Sequence, residues 1–233
     1  MARLSGVSAI CGLEAEAKLL RPLGIQVMVI AGDAARGREA AERAAARGKG
    51  ALLSFGIAGG IAPGLASGSL LLPRAVKSES GEVFPADEKL RADFAAALRQ
   101  AGLEFSEGAL LGLDRMAMTQ ADKEALFYQS RAEAVDTESI FVAQAAKRAR
   151  IPFIVLRAIS DPAEVSLPQA ASVGLDQEGN PAIRPVLKSL LQNPLQLFGL
   201  IRAAIGAKRA LKALAAARDA SASLFSAPPK PGA

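Results

Sequence analysis

The sequence contains no histidine and only one cysteine, Cys11, among its 233 residues. Histidine general bases, histidine metal ligands and disulfides within the chain are therefore excluded. Cys11 stands in the apolar segment VSAICGL, where a thiol without an activating histidine is typical of a small core residue rather than of a nucleophile. If the protein performs acid–base chemistry, carboxylates must carry it, and we predict no metal site.

Aromatic residues and long apolar runs are also scarce. The chain has no tryptophan and one tyrosine, although 28 Lys and Arg against 23 Asp and Glu give it a net charge of +5. A single-strand nucleic-acid binder needs aromatic platforms among its basic residues, so we predict no nucleic-acid partner. The N-terminal apolar run is interrupted by Ser and Gly, and no run reaches the length of a membrane span. We therefore expect a cytoplasmic protein.

What the sequence does contain is an alternation of short apolar runs with helical patterns. The predicted strands are VSAIC, IQVMVIA, ALLSFGIA, GALLGLDRMAMT and IPFIVLRAI, with further strands and turns in GSLLLPRAVKSESGEVF. The predicted helices contain Glu14 and Glu16, DAARGREAAERAAARG, DEKLRADFAAALRQAG and TESIFVAQAAKRAR. This rhythm predicts an α/β fold in which a central sheet is flanked by helices.

The chain length and its 51% hydrophobic residues suit one sizeable domain. We predict a catalytic domain over residues 1–183 and a C-terminal helical appendage over residues 184–220. Residues 221–233, which end in SAPPKPGA, are predicted to be a disordered tail because of their Pro, Gly and Ala content.

A glycine-rich segment, SFGIAGGIAPG, follows a predicted strand. Glycines there would let the backbone approach a ligand closely, although a plain turn has the same composition. The segment lacks the Lys-Ser/Thr ending of a nucleotide P-loop and the full spacing of a dinucleotide fingerprint. We therefore predict neither ATP nor NAD, and no other cofactor.

Three carboxylates stand near strand ends, where α/β proteins bind ligands. Asp136 or Thr137 could cap a helix whose first turn contains Glu138, and a carboxylate in that position could also accept hydrogen bonds from sugar hydroxyls. Asp161 follows FIVLRAIS and precedes Pro162, which is typical of an N-cap. An N-cap carboxylate stays ionised, so a proton-donor role for Asp161 requires burial or a partner that shares a proton.

Three segments, GLEAEAKLL, SFGIAGGIAPGLASGSLLLP and AVDTESIFVAQAAKRARIPFIVLRAISD, together resemble the nucleoside phosphorylase superfamily. Within it, the chain is most similar to the 5′-methylthioadenosine/S-adenosylhomocysteine nucleosidases. With DRMAMTQADKEAL and the basic C-terminus, it resembles more particularly the hopanoid-associated members, which are thought to remove adenine from adenosylhopane. The resemblance implies a nucleoside phosphorylase-like mixed sheet and a nucleoside substrate, which is a small molecule or linked to a lipid. It also implies a homodimer.

The resemblance implies roles for individual residues. Glu16 would orient the attacking water, and Glu138 would bind the ribose hydroxyls and stabilise the oxocarbenium-like transition state. Asp161 would protonate N7 of the leaving adenine, alone or sharing a proton with Ser160. Met116 would pack against the purine, with an ordinary core position as the alternative. Further substrate-binding positions are Ile57, Ala58, Gly59, Asp136, Thr137 and Ser160.

The sequence departs from this family at two positions: Thr137 stands where the nucleosidases usually carry Met, and Ile57 where they carry Ser. These departures leave open a nucleoside-binding protein without turnover. A phosphorylase would need phosphate as co-substrate and cationic side chains to bind it. The places facing the nucleophile hold Glu16, Ser54 and Ile57, which favours hydrolysis, although an arginine such as Arg36 or Arg38 could enter from a loop.

The C-terminal segment predicts an amphipathic helix. Its apolar side is predicted to contain Leu200, Ala203, Ala204, Ala207, Leu211 and Leu214. Its basic side is predicted to contain Arg202, Lys208, Arg209 and Lys212, interrupted by Ile201 and Ile205. Such a helix could lie on the inner membrane surface, or it could pack on the core or on a dimer mate.

Overall fold

A computed structural model describes residues 6–47, 50–169, 179–180 and 196–225. The strands are β1 Ser8–Cys11, β2 Gln26–Val29, β3 Leu52–Gly60, β4 Leu70–Leu71, β5 Ala75–Ser78, β6 Val83–Pro85, β7 Phe105–Ser106, β8 Leu110–Gly112, β9 Ala134–Asp136 and β10 Phe153–Asp161. The helices are α1 Glu14–Leu20, α2 Ala34–Ala46, α3 Glu88–Gln100, α4 Gln120–Ser130, α5 Ser139–Ala149 and α6 Gln196–Ser221. Short 3-10 helices span Arg21–Leu23 and Ala222–Leu224.

The predicted α/β fold is confirmed, and each predicted strand and helix overlaps an observed one. The sequence patterns do not predict α4, β7 or β9. Helix α4 buries only Lys123 and Leu126, so its sequence has little helical periodicity. Strand β9 has three residues and becomes a strand because it lies between β3 and β8.

The sheet is mixed, and β3 is its central strand. Along one edge of β3, β10 runs parallel, from Phe153 opposite Leu52 to Asp161 opposite Gly59. The other edge is shared: β1 pairs with residues 52–54, and β9 pairs antiparallel with Gly59 and Gly60. No described strand pairs with residues 55–58 on that edge. The gap leaves backbone groups of β3 free for side chains.

Helices cover both faces of the sheet. On one face, α5 packs against β10, and α2 packs against α5, β1 and β3, in a core that includes Phe153 and Val155. On the other face, α1, α3 and α6 contribute to a second core, which includes Ile154 and Leu156 of β10. Cys11 is buried in this second core, as predicted for a small core residue.

Helix α6 belongs to the core rather than standing apart from it. Ala210, Leu214 and Ala217 are buried against the sheet, and Gly206 lies against the carbonyl oxygen of Ser160. The predicted apolar side is only partly correct: Leu214 is buried, Leu200, Ala203, Ala207 and Leu211 are half-buried, and Ala204 is exposed. No helix in the described part of the chain is long and apolar enough to cross a membrane.

The C-terminal boundaries are observed in part. The predicted border at residues 183–184 lies outside the described residues, as do residues 226–233. Residues 221–225, predicted as the start of a disordered tail, instead complete α6 and a 3-10 turn. The ring of Phe225 packs edge-on against Phe94, with 5.8 Å between centroids. A tail therefore begins no earlier than residue 226.

Gly206 provides a test of this packing. A Cβ at Gly206 would lie 2.2 Å from the Ser160 carbonyl oxygen. We therefore expect Gly206→Ala to lower the free energy of unfolding by about 1–3 kcal/mol, because overpacking outweighs the gain in helix propensity. Gly199→Ala is the matched control, since its Cβ would only reach Pro168 at 3.4 Å. Chemical denaturation measures both, and equal stabilities for the two variants would contradict this packing.

Candidate active site

One cavity of about 580 Å³ lies beside the gap along β3. Its lining comes from the loop after β1 with the start of α1, the loops after β2 and β8, the end of β3, the β9–α5 junction, and the end of β10 with the segment that follows it. All ten residues predicted as site residues line it: Glu16, Ile57, Ala58, Gly59, Met116, Asp136, Thr137, Glu138, Ser160 and Asp161. The fold therefore brings the whole set together, although its members are up to 145 residues apart, from Glu16 to Asp161.

Glu16, in the first turn of α1, fills the gap beside β3. One carboxylate oxygen accepts hydrogen bonds from the backbone N–H groups of Gly12 and Leu13, each at 2.9 Å. The other accepts from the N–H of Ile57 at 2.8 Å, because no strand takes that donor. The pKa of Glu16 is raised to about 7. Burial is the largest cause and the charge of Glu138 acts in the same direction, while the charge of Arg157 and the backbone donors act against them.

Behind Glu16 lies Arg157, a residue that the sequence reasoning missed. Its side chain is fully buried in the middle of β10 and forms ion pairs with Asp136 and, at 3.1 Å, with Glu138. The hydroxyl oxygens of Ser54 and Ser139 also accept hydrogen bonds from it, at 2.8 and 3.3 Å. The available signal was an arginine inside the apolar run FIVLRAI, since a charge in a buried strand requires partners.

Two residues beside Arg157, Ser54 and Gly56, have roles that the sequence did not predict. Ser54 does not face the nucleophile as predicted, because it is fully buried between Arg157 and Ser139 and does not line the cavity. Gly56 is required by close packing: a Cβ there would lie 2.3 Å from Arg157 Nη1 and 2.6 Å from Glu16 Oε1. The guanidinium and the Glu16 carboxylate therefore both press against the backbone of β3.

The carboxylate pair at the start of α5 divides into two environments. Asp136 ends β9, and its side chain, 1% exposed, is occupied by Arg157 and by the backbone N–H and hydroxyl of Ser139. Asp136 therefore caps α5 from a position two residues before the N-cap, whereas the sequence predicted Asp136 or Thr137 as the N-cap itself. Glu138 is itself the N-cap residue, not a first-turn residue, and its side chain makes no capping bond.

Glu138 instead turns towards the cavity. Its carboxylate accepts a hydrogen bond from the Thr137 hydroxyl at 2.6 Å and contacts Arg157 with its other oxygen. Burial raises the pKa of Glu138, the charge of Arg157 opposes that rise, and the charge of Asp136 adds to it. Gly12 admits this carboxylate, since a Cβ on Gly12 would lie 2.7 Å from Glu138 Oε1.

Asp161 is the last residue of β10 and no helix begins at Pro162, so the N-cap interpretation of Asp161 is wrong. Its carboxylate accepts hydrogen bonds from the Ser160 hydroxyl and from the ammonium of Lys123, each at 2.5 Å. Lys123, on α4, is fully buried and also donates to the carbonyl oxygens of Pro162 and Val165, each at 2.9 Å. Burial raises the pKa of Asp161, and Lys123 and Ser160 oppose that rise.

The remaining lining is largely apolar. Met116 is 45% exposed at the cavity, so the alternative of an ordinary core position is wrong. Met118 and Leu167 line the cavity as well, and the N–H of Leu167 donates to the carbonyl of Met118 at 2.8 Å. This bond joins the loop after β8 to the segment that follows Asp161.

The cationic side chains near the cavity are already engaged. Arg115 lines the cavity and is paired with Asp122 at 2.9 Å. Arg36 and Arg38, considered above as phosphate ligands, do not line it, and the guanidinium of Arg38 lies 5.9 Å from the ring centroid of Phe141. Across the described ranges, no group of three or more acidic or cysteine side chains could hold a metal ion.

The Lys123–Asp161 pair can be tested through stability. Lys123→Met would leave the Asp161 carboxylate buried without its cation, and we expect a loss of about 3–5 kcal/mol in the free energy of unfolding. Lys89→Met is the control, because Lys89 forms an ion pair with its side chain 69% exposed, and should change stability by less than about 0.5 kcal/mol. Combining Lys123→Met with Asp161→Asn should cost less than the sum of the single changes. Strict additivity would contradict the pairing.

Comparisons with known proteins agree with this architecture. The structure of 5′-methylthioadenosine/S-adenosylhomocysteine nucleosidase from Neisseria meningitidis has a TM-score of 0.70 at 16% identity, covering 94% of this chain and 97% of that one. Futalosine hydrolase from Helicobacter pylori has a TM-score of 0.64 at 17% identity, covering 91% and 97%. S-adenosylhomocysteine nucleosidase from Streptococcus pyogenes has a TM-score of 0.63 at 18% identity, covering 93% and 97%.

At these identities the structural likeness establishes the fold alone. No curated protein matches the chain in sequence. The sequence pattern of the phosphorylase superfamily, however, matches residues 30–192, which is more than half of the 233 residues. The match includes β3, β9, α5 and β10, the elements that position Glu138, Arg157 and Asp161. The chain therefore belongs to the phosphorylase superfamily.

Proposed function

We propose that the protein is a purine nucleosidase, which hydrolyses the N-glycosidic bond of an adenosine with an apolar 5′ substituent and releases adenine. The observation that carries this proposal is the convergence of Glu16, Glu138 and Asp161, each in a different environment, on one cavity. Two of the structurally similar proteins are named as nucleosidases and one as futalosine hydrolase, which fits the proposed reaction class.

In the proposed reaction, the C1′–N9 bond breaks and its electron pair passes into the adenine. Asp161 transfers a proton to N7, which neutralises the leaving base. The raised pKa of Asp161, which burial causes, supports this role, since the proton must be present when substrate is bound. Glu138 binds the ribose hydroxyls and its charge stabilises the oxocarbenium-like sugar.

Glu16 is proposed to orient the water and to accept its proton as the hydroxyl oxygen bonds to C1′. The choice of water over phosphate rests on what Glu16 occupies. Three backbone N–H groups converge there, which is an arrangement that binds anions, and the protein's own carboxylate fills it. A phosphate would also meet the negative charge of Glu138, while the cations nearby are engaged with carboxylates. Phosphorolysis is the alternative on the same substrate.

The 5′ substituent is proposed to be apolar because Met116, Met118 and Leu167 line the cavity. Adenosylhopane is the leading substrate, as the resemblance to hopanoid-associated members implies. Methylthioadenosine and S-adenosylhomocysteine are the soluble alternatives. Comparing kcat/KM for adenosine, methylthioadenosine and adenosine with a long 5′-alkyl chain would rank them by the apolar contact each one makes.

Adenine release in phosphate-free buffer tests the reaction type. We expect full activity without phosphate, because water is the nucleophile, with adenine followed chromatographically. Adding phosphate should neither accelerate the reaction nor yield a sugar 1-phosphate. A strict requirement for phosphate would contradict hydrolysis and support the phosphorylase alternative.

Two isosteric variants test catalysis itself. Asp161→Asn and Glu138→Gln should each lower kcat by about 10²–10⁴-fold, since one removes the proton donor and the other removes the charge that stabilises the sugar. Glu133→Gln, a half-buried acid that does not line the cavity, is the control and should retain activity. Adenosine derivatives that bind to the intact protein without release of adenine would favour the non-catalytic binding alternative.

The raised pKa of Glu16 predicts a pH dependence. Glu16 must be ionised to accept a proton, so kcat/KM should rise with pH through about 7. Glu16→Gln should remove this ascending limb and lower the plateau. Stability should change with pH in the opposite direction. Because folding raises the pKa of Glu16 from 4.5, the contribution of this group to the free energy of unfolding is fully present below pH 4.5 and is lost as the pH rises through about 7. A pH–rate profile that keeps its limb in the variant would contradict the role of Glu16.

A further inference from the structure

The outward side of α6 concentrates exposed apolar side chains. Of the seven large hydrophobic residues exposed in the described ranges, four lie on this helix: Leu197, Phe198, Ile201 and Ile205. Phe198 is 77% exposed and the other three are about half exposed, at 48–49%. Their spacing places them on one side of the first three turns, opposite the side that packs on the sheet. Two of the four, Ile201 and Ile205, are the residues that interrupt the predicted basic side.

The same outward side becomes basic further along the helix. Lys208, Arg209 and Lys212 are exposed, and Lys208 and Lys212 follow Ile201 by seven and eleven residues, which is helical spacing. None of the three has an ion pair with another described residue. Helix α6 contains five Lys and Arg and one Asp, a net charge of +4, while the whole chain carries +5. The positive surplus of the protein is therefore largely on this helix.

Helix α6 also borders the cavity. Gly206 lies against Ser160, whose hydroxyl donates to Asp161, and Gly199 lies against Pro168, the neighbour of the lining residue Leu167. If the first turns of α6 bind to a surface, the cavity will therefore lie close to that surface.

We propose that the outward side of α6 docks on an anionic phospholipid surface. The apolar turns enter the level of the headgroups, and the basic turns bind the lipid phosphates. Charge favours this partner over a second copy of the chain, because a copy would bring the same cations and, on α6, only Asp219 to meet them. This inference goes beyond the proposed reaction, since docking requires no turnover.

The test is flotation of the full-length protein with phosphatidylcholine vesicles, with and without phosphatidylglycerol. We expect binding to the anionic vesicles, weakened by salt, and little binding to phosphatidylcholine alone. Substitution is used instead of truncation, because Ala210, Leu214 and Ala217 belong to the core. Folding of each variant is checked by its thermal unfolding.

Two sets of variants separate the contributions. Replacing Lys208, Arg209 and Lys212 with Gln should weaken vesicle binding roughly 100-fold, about fivefold for each charge. The matched control makes the same charge change at the exposed residues Lys18, Arg43 and Lys89. The apolar set is Phe198→Ser with Ile201→Ser, controlled by Val83→Ser with Tyr128→Ser at other exposed positions. Both controls should bind as the unmodified chain does.

Several results would overturn the inference. The first is failure of the intact chain to float with anionic vesicles, and the second is equal loss of binding in the control variants. The third is that Phe198→Ser with Ile201→Ser converts a dimer into monomers in sedimentation velocity while vesicle binding is unchanged, which would make this side a subunit interface. Binding of RNA in preference to anionic vesicles, lost with the three cations, would assign the surface to nucleic acid instead.

Discussion

The structure depends on one buried charge, the guanidinium of Arg157 in the middle of β10. A fully buried cation in an apolar strand is tolerated only when anions and hydrogen-bond acceptors surround it. Asp136, Glu138 and the hydroxyls of Ser54 and Ser139 supply them at Nη2, so β9, the start of α5 and the centre of β3 must meet at this point. Glu16 adds a third carboxylate. One cation among three acids leaves an excess of negative charge, which helps to keep the pKa values of Glu16 and Glu138 raised.

The second constraint is the divided edge of β3. Because β1 leaves that edge after residue 54 and β9 joins it only at Gly59, the N–H of Ile57 lacks a strand partner. Glu16 takes this donor together with those of Gly12 and Leu13. A site with the geometry to bind an anion is thereby occupied from within. For the proposed reaction this matters chemically, since the same backbone donors orient a proton-accepting carboxylate and are not available to a phosphate.

At the other side of the cavity, a second buried cation, Lys123, affects the protonation of Asp161. Burial alone would favour its protonated form, whereas Lys123 and Ser160 favour the carboxylate. Lys123 also binds carbonyl oxygens of the segment after β10, so the same ammonium fixes the backbone beside Asp161. Helix α6 closes this region from behind through Gly206 on Ser160. The end of β10, the position of Asp161 and the packed side of α6 therefore meet at a few adjacent residues.

The sequence by itself determined the elements with strong periodicity, the absence of histidine chemistry and, through resemblance, ten of the residues that line the cavity. Alternating or helical apolar patterns are local, so β3, β10, α2 and α5 could be predicted without knowledge of their neighbours. Only the tertiary structure decided the partners of Arg157 and Lys123, because each lies far along the chain from its counter-charges and no spacing rule relates them. It also decided that Asp161 ends a strand instead of capping a helix, and which side of α6 faces the sheet. Those outcomes depend on where other elements leave a donor, a charge or a surface uncovered, which a local pattern does not encode.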